Sequence, residues 1–383
     1  DVARTPPMGF NTWNLYACRV NADILMSTAR AINSSGLQAA GYEFVNSDDC
    51  WMLAHRTVDG RQIADPQKFP HGFKAVADFI HSLGLKSGLY TARGTHTCQK
   101  RAASCGHEVI DAKQWAEWGI DYVKDDCCSP CGTKTDGELY SSMWNAIQAS
   151  GRPMVLTVEG NPDDALCSAG GYGNAKRVGH DIAPHWESMT SLVDIGADLW
   201  MWAHNSTNAK YGGWWNDLDM LEIGNGPDFK CEESTAALER CRAHFTMWTI
   251  MKAPLILGND IPDESSATFS VIANKEAIAI NQDALGIQAR RVSPTKRHAS
   301  QLEVWVGPLT GGRFAAALFN RSPASDKITL HWSMLNATFF TRFAIRDIWA
   351  AKDMGTFTML YTAEVPSKAT VYLTLAPSND IFL

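Results

Sequence analysis

Ionisable side chains recur in this sequence at one kind of place, the ends of short apolar runs. Asp48 and Asp49 close "YEFVNSDD" (42–49), Tyr90 lies near the end of "LKSGLYTA" (85–92), and Lys124, Asp125 and Asp126 close "DYVKDD" (121–126). Glu159 stands near the end of "PMVLTVEG" (153–160), Arg177, His180 and Asp181 lie in "KRVGHD" (176–181), and Asp217 and Asp219 lie late in "GGWWNDLDML" (212–221). So many carboxylates, with few histidines, no HExxH pair and no glycine loop able to cradle phosphate, suit cleavage of a glycosidic bond. That reaction needs two carboxyl groups, one as nucleophile or base and one as acid, at a separation that sets the stereochemistry. Any one of these acids alone is more readily a helix cap or an ion-pair partner. Their repetition at six run ends argues for a shared site.

The run "DYVKDDCCSPC" (121–131) admits three readings: a metal cluster built on the CxxC of Cys128 and Cys131, a disulfide-tied surface turn, or a strand end presenting a carboxylate. Zinc would require two further thiol or imidazole ligands. On a strand, alternate residues share a face, so Lys124 and Asp126 point together and Asp125 points away. A cation beside Asp126 would keep it ionised, as a nucleophile must be.

The elements that must position these groups alternate. Strand-like runs at 42–49, 85–92, 121–126, 153–160, 176–181 and 253–260 are separated by helix-like stretches such as 22–38, 72–83, 111–118, 136–150 and 234–252. Alternation of this kind argues for βαβ units and a parallel sheet. A first strand near "MGFNTWN" and another in "GGWWNDLDML" bring the number to about eight, that of a (β/α)8 TIM barrel. In such a barrel the carboxyl ends of the strands form the active-site face, where the charged residues fall. Beyond about residue 290 the texture changes to alternating runs such as "LEVWVGPL" and "ATVYLTLAP", separated by Gly, Pro, Ser and Asn. The expected division is therefore a barrel over 1–290 and a C-terminal antiparallel β-domain over 291–383.

The chain has 383 residues, 45% hydrophobic and 20% charged, with no apolar stretch long enough to span a membrane. A net charge of −7 and the lack of any Lys/Arg run weigh against nucleic acid as a partner. Fourteen tryptophans and nine tyrosines offer aromatic faces of the kind that sugars bind. Ten cysteines and sequons at Asn33, Asn205, Asn320 and Asn336 favour an oxidising compartment and a glycoprotein, secreted or lumenal (extracellular, vacuolar or lysosomal). Asp1 begins without an apolar leader, which reads as a mature, processed chain.

Eight ordered motifs then carry a resemblance: "PPMGFNTWN" (6–14), "NSDDCW" (46–51), "FPHGFKAVADFIHSLGLKSGLYT" (69–91), "DYVKDDC" (121–127), "RVGHD" (177–181), "GGWWNDLDML" (212–221), "KAPLILGNDI" (252–261) and "NQDALG" (281–286). Together they resemble family 27 glycoside hydrolases, which include α-galactosidases and α-N-acetylgalactosaminidases. The C-terminal part is similar in kind, a β-sandwich. The family pattern Lys-x-Asp-x-Cys, laid on Lys124, Asp126 and Cys128, implies Asp126 as nucleophile, with Lys124 also binding substrate hydroxyls. The pattern Arg-x-x-x-Asp implies Asp181 as acid/base, oriented by Arg177. The resemblance assigns Asp48 and Asp49 to the 4- and 6-hydroxyls of galactose, and Glu159 to the 2-hydroxyl. Trp13 and Tyr90 are implied as aromatic walls, and Asp219 with Met220 as the pocket floor. The chain departs from the pattern at Phe10 and Lys176, each where the family often has Trp, and at Val158-Glu159-Gly160, where α-galactosidases have Cys-Glu-Trp.

Family spacing also implies disulfides Cys18–Cys50 and Cys98–Cys128, and Cys231 and Cys241 are close enough to staple an inserted loop. Cys105, Cys127, Cys131 and Cys167 stay unassigned. The resulting expectation is a retaining exo-α-galactosidase acting on a galactose-containing oligosaccharide, polysaccharide or glycolipid, with no metal or organic cofactor. Rivals are an enzyme of the same family with another glycone (N-acetylgalactosamine or β-L-arabinopyranose), a catalytically silent galactose-binding protein, and a metal-dependent barrel hydrolase.

Overall fold

The computed structural model describes residues 2–159, 172–203, 215–295 and 299–378. Eight parallel strands form one sheet: β1 (Met8–Asn11), β2 (Phe44–Asn46), β3 (Lys86–Ala92), β4 (Tyr122–Asp126), β5 (Val155–Val158), β6 (Ala175–Arg177), β7 (Trp215–Asp217) and β8 (Leu255–Leu257). Their order is β8-β1-β2-β3-β4-β5-β6-β7. Leu221, just beyond β7, bridges in parallel to Leu257 of β8 and closes the ring. Its N–H donates to the Ile256 carbonyl at 2.7 Å. The fold is thus a (β/α)8 barrel followed by a β-sandwich. Strands β1, β2, β5, β6, β7 and β8 are buried at every residue. Covered on both faces, such strands need not alternate: Val155–Val158 and Leu255–Leu257 are almost wholly apolar, whereas β6 and β7 bury Lys176, Arg177, Asn216 and Asp217.

Helices follow the strands in the chain, and their starts are written locally. Asn21 caps Ala22–Ser34 by accepting from the Ile24 N–H, and Thr135 with Glu138 forms a reciprocal capping box on Asp136–Ala149. The segment expected as one helix over 22–38 is two, Ala22–Ser34 and Leu37–Ala40, because Gly36 between them is left-handed at φ 91°.

By contact the chain forms two compact units that interleave in sequence. The first comprises 1–181, 205–222 and 254–264 and holds all eight ring strands. The second comprises 182–204, 223–253 and 265–383. It contains a six-stranded antiparallel sheet and a two-stranded one, with Leu318, Leu330, Trp332, Phe343 and Leu373 in their shared core. Within it, helix Thr235–Ile250 meets the last strand (Ala369–Pro377) through Thr249 and the Tyr372 hydroxyl at 3.0 Å.

Register across the ring sets which side chains meet. Asn11, Asn46, Gly88, Tyr122 and Val155 lie level on β1 to β5, and Tyr90, Lys124 and Thr157 lie one inward step higher. The close approach of β1 and β2 depends on Gly9. A Cβ there would fall 2.6 Å from the Phe44 Cβ and against its carbonyl oxygen. Gly9→Ala is expected to destabilise the protein by about 1–3 kcal/mol, measured as a lowered midpoint in urea. An unchanged midpoint would show that the two strands can part without cost.

Candidate active site

Strand β4 presents Tyr122, Lys124 and Asp126 on one face. Asp126, 8% exposed, accepts from the Tyr90 hydroxyl at 2.7 Å and from the Cys127 N–H at 2.6 Å. The sulfurs of Cys98 and Cys128 stand 3.4 and 3.5 Å from its two oxygens. They are joined as a disulfide, so they have no proton to donate and form a polarisable wall that excludes water. Burial pushes the Asp126 carboxyl up to about 6. The Glu159 charge adds to this, while Lys124 and the Tyr90 hydroxyl oppose it.

Lys124 and Arg177 organise the other acids. The Lys124 ammonium lies 3.0 Å from Asp48 and 3.3 Å from Glu159, and over the Tyr90 ring at 5.3 Å from its centroid. Burial alone would lower its pKa, but Asp48, Glu159 and Asp126 outweigh that and hold it well above the usual lysine range. The buried Arg177 guanidinium reaches Glu159 at 2.8 Å through one nitrogen, and Asp181 at 2.9 Å and Asp219 at 2.8 Å through another. Asp219 can turn back to it because its backbone is left-handed, at φ 76°. That conformation is held by the Asp219 N–H on the Asp217 carboxylate at 2.8 Å, and by the Met220 N–H on Asp219 at 2.7 Å. Burial raises Asp217 to about 6.

Asp181 differs from Asp126 in every respect. Its side chain is 80% exposed. Partial desolvation pushes its carboxyl up, but the Arg177 charge and hydrogen bond prevail and leave it below the usual aspartate value. The site therefore holds one buried acid of raised pKa and one open acid of lowered pKa.

The structure joins Asp48, Tyr90, Lys124, Asp126, Glu159, Arg177, Asp181 and Asp219 through these contacts, and Met220 is buried beside Asp219. Asp49 stands apart. Its carboxylate is saturated by Thr97 Oγ1 at 3.0 Å, the Cys50 N–H at 2.6 Å and the Gln99 N–H at 2.9 Å. Trp13 opens the short helix Trp13–Tyr16, with its N–H on Asn11 Oδ1 at 2.9 Å. Asn11, which sequence reasoning missed, also donates to Asp48 at 2.8 Å. Its inward position at the end of "MGFN" was the available signal. Asp125 is fully buried, and neither carboxylate oxygen has a hydrogen-bond partner among the described residues. Burial, reinforced by the Asp126 charge and opposed by Arg93, holds its pKa well above the usual aspartate range.

The cysteines pair as Cys18–Cys50, Cys98–Cys128, Cys105–Cys131 and Cys231–Cys241. Cys127 is free and exposed among the described residues, and Cys167 lies outside them. Donor atoms of Cys98, Asp126 and Cys128 converge within 4.8 Å. A zinc site needs thiolates, however, and these two sulfurs are bonded to each other. Cys128 and Cys131 belong to different bridges, so the CxxC is not a ligand pair. Among the sequons, Asn33 and Asn336 are exposed, and Asn205 lies outside the described residues. Asn320 is a correction. It is 0% exposed, with its amide donating to the Ala324 and Val365 carbonyls at 2.8 and 2.9 Å, so this fold leaves no room for a glycan there.

Comparison with known proteins gives a consistent picture. A family model described as "Alpha galactosidase A" matches residues 5–283, and one described as "Alpha galactosidase C-terminal beta sandwich domain" matches 299–375. An α-galactosidase of Cyamopsis tetragonoloba is 39% identical over 380 residues, covering 99% of this chain and 88% of that protein. The crystal structure of α-galactosidase I from Mortierella vinacea superposes with a TM-score of 0.86 at 33% identity, covering 98% of this chain and 97% of that one. An α-galactosidase from Saccharomyces cerevisiae, solved with raffinose, gives 0.87 at 26% identity, covering 98% of both chains.

The raised Asp126 carboxyl has a consequence for stability. Its folded-state pKa of about 6 exceeds the ordinary 3.8, so the folded chain holds this proton more tightly than the unfolded chain does. The group therefore costs stability as pH rises from about 4 to about 6, reaching roughly 2–3 kcal/mol at pH 7. Asp126→Asn should raise the melting temperature at pH 7, with the gain fading near pH 4. A gain independent of pH would contradict the raised value.

Proposed function

The chain belongs to the α-galactosidase family of glycoside hydrolases, and we propose that it is a retaining exo-α-galactosidase. Asp126 attacks the anomeric carbon to form a β-linked glycosyl-enzyme while Asp181 gives its proton to the departing glycosidic oxygen. Asp181 then takes a proton from water, which displaces Asp126 and releases galactose in the α-configuration. The observation that carries this reading is the contrast between the two acids. One is enclosed by the Cys98–Cys128 wall and fixed by Tyr90, and the other is open to solvent and held on Arg177.

Around them, each buried carboxylate has acceptor capacity left after its ion pair. Asp48 with Lys124, and Glu159 with Arg177, would take the 4- and 2-hydroxyls of the sugar, and a wrong epimer would leave an acceptor unpaired. Asp49, Trp13, Asp219 and Met220 complete the pocket. Because its oxygens are already engaged, Asp49 would bind the 6-hydroxyl by exchanging a protein donor for it. No helix among the described residues is long and apolar enough to cross a membrane. With four disulfides, a secreted or lumenal setting fits this enzyme.

Attack requires Asp126 ionised and Asp181 protonated, the reverse of their order in the unliganded site. Bound substrate would invert it by covering Asp181 and removing water from it, which raises a carboxyl pKa. Hydrolysis of nitrophenyl α-D-galactoside followed by NMR should show α-galactose first. Initial β-galactose would mean inversion and would remove Asp126 as nucleophile. Faster turnover of the α-N-acetylgalactosaminide or the β-L-arabinopyranoside would change the glycone, and loss of activity on chelation would favour a metal mechanism. The inversion of acid strength has its own check. The pH limb reporting Asp181 should lie at higher pH in kcat, which senses the complex, than in kcat/KM, which senses the free enzyme. Coincident limbs would mean that substrate does not retune the acid.

A further inference from the structure

Beneath the charged groups the barrel holds a cavity of about 20 Å³. Asn11, Asn46, Lys124, Thr157, Arg177 and Asp217 supply its polar wall. Two of these carry groups that no side chain or backbone group satisfies among the described residues. The Asn46 amide, 2% exposed, has no hydrogen-bond partner at either its oxygen or its nitrogen, and the Arg177 Nε–H is likewise buried without one. A buried amide left in that state pays its full desolvation with no bond in return. The sequence nevertheless makes room for it. A Cβ on Gly88 of β3 would fall where the Asn46 oxygen lies, 2.7 Å from its Cγ and 2.8 Å from the Tyr122 Cβ. Glycine at 88 lets a polar side chain project into the barrel where packing would otherwise exclude it.

We propose that this cavity binds a single structural water and that Asn46, acting through it, is a positioning residue for Arg177. The volume fits one molecule, which needs about 10–15 Å³ of such space. Charge selects a neutral occupant: on the wall, Lys124 and Arg177 disfavour a cation, and Asp217 and Asp219 disfavour an anion. Water can accept from Arg177 Nε and from the Asn46 amide, with two protons left for the Asp217 carboxylate and the Thr157 hydroxyl.

The consequence for chemistry rests on the function proposed above. The terminal nitrogens of Arg177 hold Glu159, Asp181 and Asp219. A guanidinium anchored only at those ends can still rock about its length. Fixing Nε from below sets its plane, and with it the place of Asp181 relative to the bond being broken.

The test has two arms. High-resolution diffraction of the wild-type protein should show one density peak within hydrogen-bond distance of the Asn46 amide and Arg177 Nε. Replacing sodium with rubidium in the medium should leave that peak unchanged, since a bound alkali cation would exchange. In the kinetic arm, Asn46→Leu should lower kcat about ten-fold with little change in KM. It should also move the Asp181 limb of kcat/KM to higher pH, because a loosened Arg177 no longer depresses that acid. Asn46→Ser, which supplies a hydroxyl in place of the amide and admits water, should recover most of kcat. Absence of the peak, a peak that exchanges, or an Asn46→Leu enzyme with unchanged kcat and pH limb would each overturn the proposal. The two failures separate cleanly. A wild-type chain inactive on α-galactosides overturns the function, whereas the density at Asn46 decides the water by itself.

Discussion

Burying charge is costly unless every charge is answered, and the open end of this barrel is built around that constraint. Lys124 and Arg177 lie among Asp48, Glu159 and Asp219, with each contact between 2.8 and 3.3 Å. Glu159 touches both cations, so the two halves are one network. Removing any member would leave an uncompensated charge out of water, a loss far larger than the net worth of an intact pair. That asymmetry makes the arrangement rigid. A rigid set of acceptors with unused lone pairs is what a sugar, dense in hydroxyls, can be recognised by.

The network carries more negative than positive charge, and the surplus determines the acids. Asp126 lies within the field of Glu159 and Asp48 and is shielded from water by a disulfide, so its proton is held tightly. Asp181 lies at the edge, where solvent screens the other carboxylates and Arg177 dominates. Two aspartates of the same intrinsic acidity are thus driven apart by position alone. Asp125 is a third case, next to Asp126 in the chain yet on the other face of the strand. Its oxygens have no hydrogen-bond partner among the described residues, and burial holds its pKa well above the usual range.

Backbone geometry supplies the aim. Parallel strands end together, so residues from distant parts of the chain meet at one mouth. Asp219 reaches Arg177 only through a left-handed residue locked by Asp217. The bridges Cys98–Cys128 and Cys105–Cys131 tie the loops after β3 and β4 to each other on the side where Asp126 lies. Arg93, just beyond β3, adds an ion pair to Asp136 at the start of the helix after β4.

Much of this was legible in the residues alone. Short apolar runs alternating with helical stretches announce parallel strands, and charges at their ends announce an active face. The period of two already separates Lys124 and Asp126 from Asp125. The strand count, the β-domain and the outline of the site follow from such local rules, because strand formation and side-chain direction are properties of short segments. What tertiary structure alone decided is pairing and environment. Lys124 meets Asp48 across 76 residues of sequence, and Asn14 meets Glu222 across 208. Asp49 proves saturated by the 97–99 loop, Asn320 is sealed in the β-domain, Cys131 joins Cys105 rather than forming a CxxC site with Cys128, and Gly36 splits a helix. The order of acidity between Asp126 and Asp181 belongs here too. Coulomb energy and desolvation depend on distance through space and on which atoms exclude water, and neither quantity is written in the spacing of residues along a chain.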